Sequence, residues 1–176
     1  NVLTYFDANR LGRVFNITSE SAVVSLTNLI LMNGVAMKTS VLGSDGGGLI
    51  ASSGNLTLTN ITGQNSFAQN AGGAVYSTMN LSVNGSSFVN NRANVGGGIY
   101  ASGTSVSAKD VTFFANYAHD GGGMYVQNLN LTGGGLVFEK NYATNDAAGL
   151  YILGDDTTNV DIAASFTDNY VLGSGA

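Results

Sequence analysis

Gly121-Gly122-Gly123-Met124-Tyr125 is the stretch on which the fold turns. Close copies read Gly46-Gly47-Gly48-Leu49-Ile50, Gly72-Gly73-Ala74-Val75-Tyr76, Gly96-Gly97-Gly98-Ile99-Tyr100 and Ala147-Ala148-Gly149-Leu150-Tyr151. Another begins at Gly173-Ser174-Gly175-Ala176, and a degenerate one stands early, at Leu11-Gly12-Arg13-Val14-Phe15. From Gly46 onward the first positions lie 26, 24, 25, 26 and 26 residues apart. A period this regular is the signature of a repeat architecture.

A second motif, Phe-x-x-Asn, keeps step with the first. Its copies start at Phe67, Phe88, Phe113, Phe138 and Phe166 and end at Asn70, Asn91, Asn116, Asn141 and Asn169. Looser copies run from Phe6 to Asn9 and from Ile30 to Asn33. Between the motifs, apolar and polar residues alternate: Asn55-Leu56-Thr57-Leu58-Thr59, Asn80-Leu81-Ser82-Val83, Ser105-Val106-Ser107-Ala108, Asn128-Leu129-Asn130-Leu131-Thr132 and Asn159-Val160-Asp161-Ile162. Period two predicts strands with one buried face. No helical spacing is sustained, and Gly, Asn or Ser soon breaks each run.

A leucine-rich repeat needs a helical half that no copy contains, and a propeller blade needs roughly 40 residues. The pattern therefore predicts an all-β fold, a right-handed parallel β-helix of about seven coils. At about 4.8 Å per rung these make a rod of about 35 Å. Val14, Leu49, Val75, Ile99, Met124 and Leu150 are expected to form an inward aliphatic row. Phe67, Phe88, Phe113, Phe138 and Phe166 are expected to stack beside it. Asn70, Asn91, Asn116, Asn141 and Asn169 sit where the strand must turn, and asparagine tolerates left-handed backbone. Stacked Asn side chains also bond along a rod, as in cross-β ladders. The glycines serve a corner where a β-carbon would clash or φ is positive. Val35 to Ser44, with Lys38, reads as an excursion from the rod, and Gly154 to Thr158 as a smaller one.

Composition narrows the function classes. The chain has 176 residues, 25 of them glycine, about twice ordinary usage. Only 10% are charged and the net charge is −5. Without a basic patch, nucleic acid is not an expected partner. No apolar run is long enough to span a bilayer. No cysteine is present, so no disulfide framework holds the chain. Asn1 is not an initiator methionine and both ends fall inside the repeat, so the chain is expected to be a window of a longer one.

The pairing of Gly-Gly-[Ala/Gly]-[aliphatic] with Phe-x-x-Asn, over residues 6 to 176, resembles the repeats of chlamydial polymorphic outer-membrane proteins. Similar repeats occur in large extracellular proteins of other bacteria, algae and protists. The resemblance implies an autotransporter-like arrangement. A β-helical passenger is exposed at the cell surface, acts as an adhesin towards host receptors or glycans, and is attached to a membrane barrel.

Polysaccharide lyases and hydrolases also use parallel β-helices, and need clustered carboxylates beside a cation. His119, Asp120 and Asp146, with Lys140 in the neighbouring turn, are the candidates for such a site. The plainer reading is that Asp45, Asp120 and Asp146 satisfy turn amides ahead of the glycine corner. Asp155-Asp156 is an acidic pair on a loop, but a hard-cation site needs several more oxygens, so no metal or other cofactor is expected. Tyr76, Tyr100, Tyr125 and Tyr151 follow the inward aliphatic residue and should form an outward row. That row either binds sugar rings or covers the sheet by cross-strand pairing. Glycosylation sequons stand at Asn16, Asn55, Asn60, Asn80, Asn84 and Asn130, no real excess over chance. Of these, Asn55, Asn80 and Asn130 flank inward leucines and should face solvent.

The reading that follows is a non-enzymatic structural or adhesive segment of a secreted or cell-surface protein. Its partners would be further coils or subunits at both ends of the rod. The rivals are a polysaccharide-cleaving enzyme and a polysaccharide-binding module.

Overall fold

The computed structural model describes residues 3–37, 46–127, 130–155 and 158–173. Among these residues there is no helix, and the strands stack in parallel as a β-solenoid of about six turns. The repeat count predicts about seven. The difference lies in the counting: seven strands line one side, from Thr4–Asp7 to Val160–Thr167, and enclose six turns between them.

Each turn has three sides. The first two belong to one sheet that bends within each coil. In some coils the bend lies inside a single ten-residue strand, as in Val23–Met32, Asn55–Gln64 and Asn130–Glu139. In others it divides two strands, as between Ser105–Lys109 and Thr112–Phe114. In five coils one residue with positive φ makes the bend: Asn28, Asn60, Gly85, Asp110 and Gly135. Asn, Asp and Gly are the residues that enter left-handed backbone at least cost.

A second left-handed residue ends the second side. It is Asn33, Asn65, Asn90, Ala115, Lys140 and Asp168 in successive coils, each with φ between 53° and 56°. This corrects the expected role of the motif asparagines. The left-handed residue is the one before Asn91, Asn116, Asn141 and Asn169, and those four keep their side chains for bonds along the rod.

The third side holds Val35–Ala36, Phe67–Ala68, Tyr117–Asp120, Tyr142–Asp146 and Tyr170–Val171, joined through bridges at Arg92. Val35 and Ala36 thus belong to the rod and pair with Phe67 and Ala68. The expected excursion therefore does not include these two, and residues 38–45 lie outside the described residues, as do Leu129 and Asp156.

The glycine corner returns the chain to a six-stranded sheet from Phe15–Ile17 to Leu150–Leu153. The glycine three residues before the inward strand residue has positive φ: 73° at Gly47, 63° at Gly72, 62° at Gly96 and 63° at Gly121. The glycine after it lies against the next coil. A β-carbon on Gly122 would stand 2.4 Å from the carbonyl oxygen of Ala148 and 2.5 Å from that of Tyr142.

Strand register also shifts one sequence-based alignment by a residue. Val75 pairs with Ile50, not Leu49, and Ile50 pairs with Phe15, not Val14. The inward row is therefore Phe15, Ile50, Val75, Ile99, Met124 and Leu150. Leu49 occupies the place of the third motif glycine, and a size exchange across the core explains it. In later coils that glycine leaves room for a phenylalanine ring: a β-carbon on Gly123 would meet Phe138 at 2.8 Å. In the Leu49 coil the phenylalanine place is taken by Gly63, whose added β-carbon would meet Leu49 at 3.2 Å. Large and small residues swap sides, and the core stays filled.

Candidate functional site

The buried side chains form rows along the axis. Phe88, Phe113 and Phe138 are fully buried, with ring centroids 5.6 and 4.8 Å apart. Phe166 stacks on Phe138 at 4.9 Å and remains half-exposed in the last coil. Phe67 stands apart from this row. It is half-buried on the third side, in register with Val35 and Arg92. The stacking position in its coil belongs to Gly63, the strand partner of Phe88.

Asn91, Asn116 and Asn141 are wholly buried and fully bonded. The Asn116 Oδ1 accepts the backbone N–H of Asn91 at 3.0 Å and the Asn91 Nδ2 at 3.1 Å. The Asn116 Nδ2 donates to the Phe88 carbonyl at 2.9 Å and to Asn141 Oδ1 at 3.0 Å. Asn141 and Asn169 repeat the arrangement. Asn70 takes no part in it. It is exposed, and its backbone carbonyl accepts from Asn94 and Val95. Its expected rung is filled by Ser66, whose N–H donates to Asn91 Oδ1 and whose Oγ accepts from Gly34. A hydroxyl in place of an amide still carries the chain of hydrogen bonds into the earlier coils.

Tyr76, Tyr100, Tyr125 and Tyr151 form a continuous stack, with centroids 5.2, 5.4 and 4.7 Å apart and rings within 22° of parallel. Each ring is half-buried, and adjacent rings turn their faces to one another. Burial, then the neighbouring Tyr151 and Tyr100 hydroxyls and the Asp120 carboxylate, raise the pKa of Tyr125. The Tyr100 hydroxyl donates to Gln127 at 2.8 Å. A second tyrosine stack escaped the sequence reading: Tyr117, Tyr142 and Tyr170, at 5.0 and 5.8 Å. The signal was present, since each directly follows a motif asparagine. Arg92, in the same row, lies 4.8 Å over the Tyr117 ring.

The acid–base candidates are only partly brought together. His119 Nδ1 is 3.1 Å from Asp120 Oδ2, and Asn145 Nδ2 donates to Asp120 Oδ1 at 2.8 Å. Asp146 is the strand partner of Asp120 one rung on. Lys140 points elsewhere, pairing with Glu139 at 3.1 Å beside the Phe114 ring. Among the described residues no three His, Cys, Asp or Glu side chains are grouped to hold a metal ion.

The sequons differ in access. Asn16, Asn60, Asn80, Asn84 and Asn130 are exposed. Asn55 departs from the expectation: it is half-buried, its Oδ1 covered and without a hydrogen-bond partner. Asn80 Oδ1 accepts from the Thr104 and Ser105 hydroxyls, and Asn60 Nδ2 donates to Asn28. At the smaller loop, the Asp155 N–H donates to Thr158 Oγ1 at 2.9 Å, which closes a turn.

These rows define the chain as a parallel β-solenoid in which stacking uses the repeated residues. Comparison with family models, with curated proteins and with solved structures finds no match.

Proposed function

We propose that this chain is a rigid, non-enzymatic rod, a structural or adhesive segment of a secreted or cell-surface protein. One observation carries the reading: the amides of Asn91, Asn116 and Asn141 are wholly spent on bonds between coils. The extracellular setting rests on the resemblance of the Gly-Gly and Phe-x-x-Asn repeats to those of chlamydial surface proteins. The stacked Tyr76 row supports the structural role as well. Sugar binding uses the face of a ring, and these faces cover one another.

Polysaccharide cleavage at His119, Asp120 and Asp146 is the rival. The cation such a site would need is not supplied by Lys140, which pairs with Glu139. The chain incubated with plant and microbial polysaccharides is expected to release no new sugar ends. Cleavage that disappears with Asp120→Ala would overturn the reading.

The two end coils expose apolar side chains. Tyr5 and Phe6 are 66% and 40% exposed, and Phe166 and Tyr170 are 54% and 58%. Open sheet edges with apolar surface recruit other strands. We read both ends as surfaces covered by further coils or by partner subunits. Residues 1–176 alone are expected to self-associate, as light scattering would report. A soluble monomer with a cooperative melt would show that the ends need no cover.

A further inference from the structure

The geometry points to a binding groove for an anionic polysaccharide on the third side of the solenoid, one with carboxylate or sulfate groups on its sugars. The inference goes beyond the rod reading and does not depend on it.

Two hollows adjoin there, of about 510 and 300 Å³, and both are lined by Phe67 and Arg92. The first also holds Arg10, Asn65 and Asn90; the second holds Asn94, Tyr117 and His119. The chain has only six Lys and Arg residues against eleven Asp and Glu, yet two arginines line the first hollow. Both are exposed, and neither has an ion-pair partner among the described residues. The Arg92 guanidinium carbon lies 4.8 Å over the Tyr117 ring, a cation–π contact that steadies an arginine carrying five N–H donors. Such a fork matches a carboxylate or sulfate with two parallel hydrogen bonds. Among the described residues no carboxylate lines either hollow, and the nearby ones are turned to other partners. Asp7 accepts from the Asn9 N–H and the Asn33 amide, which lowers its pKa, and Asp120 is held by His119 and Asn145.

The lining favours a sugar chain over an acidic peptide. An extended peptide gains most by adding to a free strand edge. Backbone groups on this side are already bonded between coils: Phe67 N–H to Gly34, Ala68 N–H to Arg92, Ala93 N–H to Tyr117. Sugar hydroxyls need side chains that both donate and accept, which Asn65, Asn90 and Asn94 supply from exposed positions. The half-buried Phe67 ring gives an apolar surface between the two hollows.

The test uses the 176-residue chain immobilised on a biosensor, with four probes: oligogalacturonate, heparin oligosaccharide, neutral dextran oligosaccharide and polyglutamate. At least one anionic sugar is expected to bind, and added salt to weaken it. Arg92→Gln and Arg10→Gln are each expected to weaken it about tenfold or more, the loss of one charge-assisted pair. The oligogalacturonate and heparin arms tell carboxylate from sulfate recognition. Circular dichroism checks the fold of each variant; if Arg92→Gln fails to fold, Arg10→Gln decides alone. Failure of both anionic sugars to bind overturns the proposal. So does equal binding of dextran or polyglutamate, or wild-type affinity in the folded arginine variants. None of these outcomes bears on the rod reading, which sugar cleavage tests.

Discussion

Phe113→Ala is expected to lower the unfolding free energy by about 3–5 kcal/mol, the usual cost of emptying a buried aromatic site. Phe113 has no exposed surface and lies between Phe88 and Phe138. Its ring also fills the space left by Gly98, where an added β-carbon would meet it at 3.0 Å. The coils above and below are fixed by their own hydrogen bonds, so the cavity cannot collapse. Phe67→Ala, half-buried on the third side, should cost about 1 kcal/mol. The urea midpoint of each variant reads the difference, with an unchanged slope marking a pure stability effect. Equal losses at Phe67 and Phe113 would show that the ring stack is not where the core energy lies.

Asn116→Ala is expected to cost about 2–4 kcal/mol, although little apolar area is lost. The change takes the acceptor from the buried Asn91 N–H and a donor from the Phe88 carbonyl. A buried polar group without a partner keeps its full desolvation penalty. Asn116→Asp preserves the shape and should do no better. It sets a carboxylate oxygen against the Phe88 carbonyl and Asn141 Oδ1, where the amide donated. Asn70→Ala, exposed and outside the ladder, should stay within about 0.5 kcal/mol of wild type. A near-neutral Asn116→Ala would show that the ladder contributes nothing to the stacking.

From Phe88 onward the sequence reading and the structure agree on the buried rows, because residues 25 apart, as at Phe88 and Phe113, fall one above the other. Before Phe88 the match weakens for a physical reason. Gly63 and Ser66 fill the phenylalanine and asparagine places without resembling either residue. A chance Phe-x-x-Asn four residues later, at Phe67, drew the assignment away. Counting 25 back from Phe88 and Asn91 would have found the true positions. The Leu49 register failed alike, since three adjacent glycines permit two alignments and only the pairing of Ile50 with Val75 decides. The left-handed position before each ladder asparagine was hidden because Ala115 and Lys140 occupy it as Asn90 does. The groove at Arg10 and Arg92 was illegible in sequence. Its residues are far apart in the chain, and the coil stacking alone brings them to one hollow.

Native-state hydrogen exchange of the Asn91, Asn116 and Asn141 backbone amides tests the stacking account most directly. Each donates to the side-chain oxygen of the next asparagine in the row. The account predicts that these three exchange only through global unfolding, among the slowest amides in the chain, and that Asn116→Ala accelerates Asn91. Exchange as rapid as that of the exposed Asp155 turn, or an Asn91 rate indifferent to Asn116, would contradict it.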